Sequence, residues 1–504
     1  MEFLQFTGIE GHLEEVKEIG NRLGGLPLAL AQMTGIIRLG FLTYSEFLRL
    51  YNEPEEAADI HDTVLQPLRK TARGNLSTIW AFEQLSDTAR ILLEISSFLN
   101  PDCIQEDLLT KFATNVNNPS YPKKRGLFFA ARKQLIGASL FRHNQETKEY
   151  WMHRVTQDVT RAKVQPEQQL KIFLSVVCII LEAWPTQGVG DHDITLWNKC
   201  EALCPHVISL QDAYSTYFAR DDAWSRVEFS TLLSRAGWYQ HSRGQSHLVR
   251  PLLETALKIC PRRNCETDRD LESDILYTLG AIANETNDAE GCMKYTMNFF
   301  KIRVKVAEET GEVDERLARS HNQIGIPLMM FGKYQEAEEA FSTSAQKYED
   351  VPNYTKDKRS LPLVNLGLAY WLQGRLERAS EVLELGLADR EELYGSMDNY
   401  DFRTGRFLYA LGNVRFSQGL LGQSEEFHRR ALQQFQSTIG NHHHRTADVC
   451  HRMAQHCLRK GLLDEATRLF RSAASMRRKL TVLRPDEMDL TEHDFDCLVT
   501  FWSR

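Results

Sequence analysis

In the C-terminal half of the chain, apolar residues recur three and four positions apart. Single glycines or an asparagine interrupt the runs, which then resume at once. That is the period of helices with one buried stripe, joined by tight turns. One pattern repeats six times from about residue 230, led by a small residue at Gly237, Gly280, Gly325, Gly367, Gly412 and Ala454, in steps of 43, 45, 42, 45 and 42. Seven positions after each comes a turn residue: Gly244, Asn287, Gly332, Gly374, Gly419 and Gly461. A mostly small site follows (Val249, Cys292, Ala337, Ala379, Ser424, Ala466), then a bulky one (Leu253, Thr296, Phe341, Leu383, His428, Phe470). The last site is again mostly small: Ala256, Phe299, Ser344, Gly386, Ala431 and Ala473.

Two antiparallel helices pack closely where small side chains let their backbones approach. A glycine just past the first helix supplies the left-handed cap that a β-carbon penalises. The bulky site is expected to fill the space between one hairpin and the next. The second repeat departs most, with Asn287, Thr296 and Phe299 at three marked positions, and is expected to be distorted or partly unstacked. "NLGLAYWLQGRLERASEVLELGL" and "RMAQHCLRKGLLDEATRLFRSAA" are the clearest copies. The pattern resembles the tetratricopeptide repeat (TPR), in the longer form of about 42 residues found in kinesin light chains.

The resemblance implies an α-α superhelical solenoid over residues 230–480, whose first helices line a concave face. In that family the face holds an extended peptide or a helix. The register points Ile326, Met329, Leu368, Trp371, Asn413, Phe416, Gln455, Leu458 and Arg459 inward. Trp371 and Phe416 are the expected anchors, and Arg459 a carboxylate partner. Residues 481–504 carry Phe495, Leu498, Val499, Phe501 and Trp502 at helical spacing and are expected to cap the end of the stack.

The first half reads differently. Residues 1–75 contain "LGGLPLALAQMTGIIR", in which Pro27 opens a helix at a position where its missing N–H costs nothing. Residues 76–165 read as three helices and a terminal hairpin, Ser139 to Arg142 pairing Glu149 to Met152 across His143 to Lys148, the make-up of a winged helix. Residues 166–229 form a helical linker. A modest basic patch (Lys123, Lys124, Arg125, Arg132, Lys133) is opposed by Asp87, Glu94, Asp102, Glu106 and Asp107, so a DNA-binding regulator is the weaker reading.

Composition narrows the function. The 504 residues carry 60 Lys+Arg against 68 Asp+Glu, a net charge of -8, without the basic field that recommends nucleic acid. The most apolar stretch, Ile172 to Leu181, is about half of what a membrane helix needs. The N-terminus lacks a cationic-then-apolar signal pattern, and the cysteine usage fits a reducing cytoplasm. Neither Cys200, Cys204 and His206 nor Cys260 and Cys265 form paired zinc knuckles, and the His442-His443-His444 run is expected to be a solvated loop. No metal site is expected. No nucleophile elbow or dinucleotide fingerprint occurs, so no enzyme is read.

The order of the pieces resembles the C-terminal part of fungal NB-ARC/TPR proteins, relatives of NOD-like receptors in the STAND class of signalling ATPases. It runs from "GLPLALAQ" through a winged helix closing on "WMHRVTQD" to superhelical repeats. The resemblance implies an ARC-like helical remnant over 1–75, with Pro27 against the adenine end of ADP and His153 on its β-phosphate. The third position of that histidine's motif is Arg154 where the family has aspartate. No Gly-x-x-x-x-Gly-Lys-Ser/Thr loop occurs, and only 24 residues precede Gly25, so the P-loop domain is read as absent and the ADP contacts as vestigial. The expected function is a non-catalytic scaffold binding a protein or peptide in the repeat groove, without nucleic acid or membrane. A truncated nucleotide-switched ATPase is the alternative.

Overall fold

The computed structural model describes residues 15, 17–19, 43–52, 85–113, 116–138, 140–186, 188–190, 193–219, 226–261, 265–396 and 398–480. Pro27, most of the expected 1–75 segment and the expected capping helix 481–504 lie outside the described residues. The fold is mainly α. It divides into two compact units, Met1–Pro185 with Glu201–Trp224, and Thr186–Cys200 with Ser225–Arg504.

The first unit contains α1 (Tyr44–Asn52), α2 (Asp87–Ser96), β1 (Ile104–Gln105), α3 (Glu106–Thr110), α4 (Arg125–Gly137), β2 (Phe141–Asn144), β3 (Glu149–Met152), α5 (Arg154–Lys163) and α6 (Pro166–Ala183). It also takes Glu201 onward of α7 (Trp197–Tyr217). The strands form an antiparallel sheet in the order β1-β3-β2, with Phe141 opposite Met152 and Asn144 opposite Glu149. The hairpin's first strand starts two residues later than its sequence suggests, because the turn needs only residues 145–148. The third strand, β1, is two residues long and pairs Ile104 with Tyr150, too short to leave a periodic signal.

Side chains lock this unit. Tyr150 donates to Glu106, and Arg132 donates to Glu106 Oε2 at 3.1 Å, which binds α4 to the sheet. Phe173 of the apolar helix α6 meets Phe98 edge-on at 6.1 Å. His206 is fully buried; its Nδ1 accepts from the Asn100 N–H at 2.9 Å and its Nε2 lies 2.9 Å from Gln105 Oε1. Burial pushes its pKa down to about 4, so it is a neutral packing residue.

The second unit is a solenoid of consecutive helical hairpins: α8 (Val227–Ser242) with α9 (Ser246–Ile259), α10 (Glu266–Glu285) with α11 (Ala289–Thr310), and α12 (Glu315–Met330) with α13 (Tyr334–Glu349). Then come α14 (Ser360–Leu372) with α15 (Leu376–Tyr394), α16 (Arg403–Ser417) with α17 (Leu421–Thr438), and α18 (His444–Arg459) with α19 (Leu463–Leu480). In the first five hairpins the bulky site packs on the small residue of its own hairpin, and His428 also reaches the next hairpin, its Nδ1 3.0 Å from His456 Nε2. A β-carbon on Gly237 would stand 2.6 Å from Leu253 Cδ2, and one on Gly325 2.7 Å from Phe341 Cδ1.

The second hairpin is regular, again against expectation. Thr296 is fully buried, and a β-carbon on Gly280 would stand 2.8 Å from its Cγ2. Asn287 takes the left-handed turn at φ 56, close to the φ 73 of Gly332. Asparagine is the residue that tolerates this conformation best after glycine, so the substitution keeps the geometry.

Candidate partner-binding site

The first helix of each hairpin lines the inner surface of the solenoid, and that surface closes on itself. Glu285, at the end of α10, lies against the start of α18. Arg445 Nη2 donates to Glu285 Oε1 at 3.0 Å, and Ser246 Oγ donates to Glu285 Oε2 at 2.7 Å. His444 Nε2 and His241 Nδ1 each stand 3.4 Å from the same carboxylate. Burial alone would raise the Glu285 pKa, but His241, His444 and Arg445 outweigh it and hold the carboxyl well below its usual range. His443 caps α18, its Nδ1 accepting from the Arg445 N–H at 3.2 Å. The expected solvated histidine loop is therefore corrected: only His442 is exposed, while His443 and His444 are buried in the closure.

Inside the closure is a chamber walled by Trp238, Tyr277, Gln323, Phe402, Arg406 and Glu285 among others. A row of side chains runs along it. Asn365 Nδ2 donates to Asn322 Oδ1 at 2.8 Å, and Arg406 Nη2 donates to Asn365 Oδ1 at 3.0 Å. Burial and the repulsion of Arg445 bring the Arg406 pKa down to about 9.

Part of the inner face already carries a piece of the chain. Arg319 Nη1 donates to the Val189 carbonyl at 2.5 Å, and Val189 packs with Trp238, Leu276, Tyr277 and Phe299. An arginine on a first helix thus holds the backbone oxygen of another segment.

The residues expected to face inward divide into three groups. Ile326 lines the chamber, although it is itself mostly buried. Met329, Leu368, Asn413 and Gln455 are buried, which corrects their assignment as open contacts. Asn413 Oδ1 lies 3.1 Å from His428 Nε2, and Gln455 Nε2 lies 3.4 Å from His451 Nε2. Trp371 and Phe416 are half-buried, whereas Leu458 and Arg459 are exposed. These four continue across the last hairpins: Trp371 Nε1 donates to Ser417 Oγ at 2.9 Å, and the Arg459 guanidinium stacks 4.4 Å from the Phe416 ring centroid.

Sequence reasoning missed Arg319, Asn322, Asn365 and Arg406. For all but Asn365 the signal was present: a helix face that includes the position after the small residue also includes the positions three and six before it. Tyr277 and Asn322 stand three before, and Arg319 and Arg406 six before.

For the ADP contacts implied by resemblance, the described residues offer His153 alone. Its Nδ1 is buried without a hydrogen-bond partner, and burial, with Arg142 and Arg154 nearby, lowers its pKa. One ring nitrogen does not form a nucleotide cradle. In the opposed basic patch, Arg132 is committed to Glu106, and Lys123, Lys124, Arg125 and Lys133 are exposed.

Residues 316–392 and 403–479 match the family model of the tetratricopeptide repeat. Residues 80–169 match a domain of unknown function, DUF7779. No curated protein matches the chain. Among solved structures, it is similar to the apo form of RapI, at 15% identity over 56% of this chain and 92% of that one, with a TM-score of 0.40. It is similar to a Signal Transduction ATPase with Numerous Domains carrying a tetratricopeptide repeat sensor, from Pyrococcus horikoshii, at 15% identity over 93% of this chain and 70% of that one, TM-score 0.41. NprR in complex with its cognate peptide NprX shares 12% identity over 54% of this chain and 74% of that one, TM-score 0.39.

Proposed function

We propose that the chain is a non-catalytic scaffold that captures a partner peptide on the inner face of its repeats, at the side of the later hairpins. The observation that carries this reading is the ladder of Trp371, Phe416 and Arg459. Its aromatic faces remain part-exposed on first helices, where a monomer gains by burying them. Anchors of this kind, aromatic with an adjacent guanidinium, dominate protein-protein binding energy. The seating of Val189 by Arg319 supports the same use, since a backbone carbonyl is held there by a first-helix side chain. We read residues 76–165 as a winged helix, on the three helices and the sheet order β1-β3-β2. The NB-ARC kinship and a cytoplasmic location belong to this reading too, and it assigns no reaction to the chain.

The test places a photo-crosslinking amino acid at 371, and in a second variant at Leu385, an exposed position on a second helix. Peptides selected from a displayed random library against the full chain are then irradiated with each. Crosslinking from 371 and none from 385 supports the inner face, and the reverse pattern refutes it.

A further inference from the structure

Helix α4 buries Phe128, Ala131 and Leu135 within the first unit and leaves its opposite face in solvent. That face carries large apolar side chains: Leu127 is 47% exposed, Ile136 38% and Phe129 36%. Helical spacing sets Phe129 and Ile136 along one flank of the face and Leu127 on the other, with Gly126, Ala130 and Gly137 between them. A β-carbon on Gly126 or Gly137 would meet nothing within 4 Å, so the middle of the face is an open, shallow trough.

The charge around this trough has one sign. No acidic residue occurs between Asp107 and Glu146, although 68 of the chain's 504 residues are acidic. Lys123, Lys124, Arg125 and Lys133 are exposed, and none of them has an ion pair among the described residues. The acids that the sequence sets against them are committed elsewhere: Glu106 to Arg132, Asp107 to Lys111 and Asp102 to Arg154. The Arg125 and Arg132 guanidiniums lie 5.2 and 4.6 Å from the Phe129 ring centroid, so cationic and apolar groups interleave. The start of α4 adds the positive end of the helix dipole beside Lys123, Lys124 and Arg125.

Three kinds of surface attract such a face. A nucleic acid backbone would use the lysines but gains nothing from exposed Leu127 and Ile136. An anionic bilayer takes a basic, apolar helix by burying bulky side chains along the middle of its face, where α4 has glycine and alanine. A second helix needs small residues where the two backbones approach and larger ones on either side. That is the arrangement on α4.

We propose that the solvent face of α4 docks an acidic amphipathic helix of a partner protein. The apolar stripe of that helix lies in the trough between Leu127 and the Phe129–Ile136 flank, and its aspartates and glutamates meet Lys123, Lys124, Arg125 and Lys133. This surface belongs to the first unit and uses no residue of the repeat groove, so it gives the scaffold a second, independent docking site.

The test selects binders from a displayed library of peptides about five helical turns long, with Ala, Leu, Glu, Gln or Lys at each position. The bait is the full chain carrying Trp371→Ala and Phe416→Ala, which lacks the groove's anchors. Selected peptides should be net acidic, with leucines three and four apart. Their dissociation constants should rise about tenfold in Ile136→Glu and severalfold in Lys133→Glu, and should weaken as salt is added. Both substitutions fall at exposed positions of α4 and are measured separately, with a melting curve for each, so the result does not depend on how one variant folds. Neutral or basic winners, no winners, or winners that bind both variants as well as the parent would overturn the proposal. The same bait is offered vesicles of phosphatidylcholine and phosphatidylserine at three to one, and a random DNA duplex. Retention of either that is lost in Ile136→Glu would overturn the choice of a protein helix. Because the groove's anchors are already removed from the bait, failure here leaves the groove reading standing.

Discussion

Arg445 donates to Glu285 at 3.0 Å across 160 residues of sequence, tying the last hairpin of the solenoid to the second. Local helix pairing cannot produce such a contact; it needs the accumulated rotation of every hairpin between them. The pair therefore reports on the whole superhelix. Removing one partner of a fully buried pair costs about 3–5 kcal/mol. Arg445 is about a fifth exposed, and His241 and His444 remain beside Glu285. Arg445→Ala should accordingly cost about 2 kcal/mol, read as a lowered urea midpoint. A midpoint shift below about 0.5 kcal/mol would mean the closure contributes little.

Acid should loosen the solenoid from near neutrality. His451, His428, His443 and His444 are buried, and burial depresses their pKa values, that of His451 to about 4. Below pH 6.5 the unfolded chain takes up protons that the folded one refuses, so stability falls as pH falls toward the folded values. The depressed Glu285 carboxyl acts in the same direction at lower pH, its contribution being lost below about 4.5. For His451 alone the loss between pH 8 and pH 5 is about 2 kcal/mol. His451→Gln should flatten the pH dependence of the urea midpoint by that order, and an unchanged slope would contradict the neutral buried state.

The small sites should be intolerant of even one methyl group. Alanine is a better helix former than glycine by up to about 1 kcal/mol. At Gly325 that gain is outweighed, because the added carbon would stand 2.7 Å from Phe341 Cδ1 in a fully buried contact. Overpacking of this kind costs roughly 1–3 kcal/mol, so Gly325→Ala should destabilise. Adding Phe341→Leu should recover part of the loss, as a double-mutant cycle in urea would show.

Residues 188–190 are held by one long side chain as well as by apolar packing. Arg319→Ala removes the bond to the Val189 carbonyl and the guanidinium lying beside Gly190. A hydrogen bond from a charged group is worth about 1.5–3 kcal/mol, so local opening should rise about tenfold or more. Limited proteolysis with mass mapping should show faster cleavage around these residues and an unchanged pattern in α12 and α13.

These contacts also mark where the sequence was readable. The hairpins were legible because the pairing of Gly367 with Leu383, or of Gly412 with His428, is settled within one repeat, by a fixed spacing. Even Asn287 announced its turn, since few residues accept a positive φ. The chamber was not legible, because His443 and His444 look like loop residues until the solenoid turns far enough to place Glu285 over them. The inward list failed at Met329 and Leu368 for a related reason. Both are buried, and the periodicity of a single helix does not tell a covered position from an open one. β1 left no pattern because two residues cannot show an alternation.

The central claim is that Trp371 and Phe416 anchor a partner. Its most direct test is the dissociation constant of a library-selected peptide for the unaltered chain and for the Trp371→Ala/Phe416→Ala double variant, with circular dichroism recorded on both. The account predicts at least a tenfold weaker constant, about 1.4 kcal/mol, and an unchanged spectrum. Binding within twofold of the unaltered chain would contradict it.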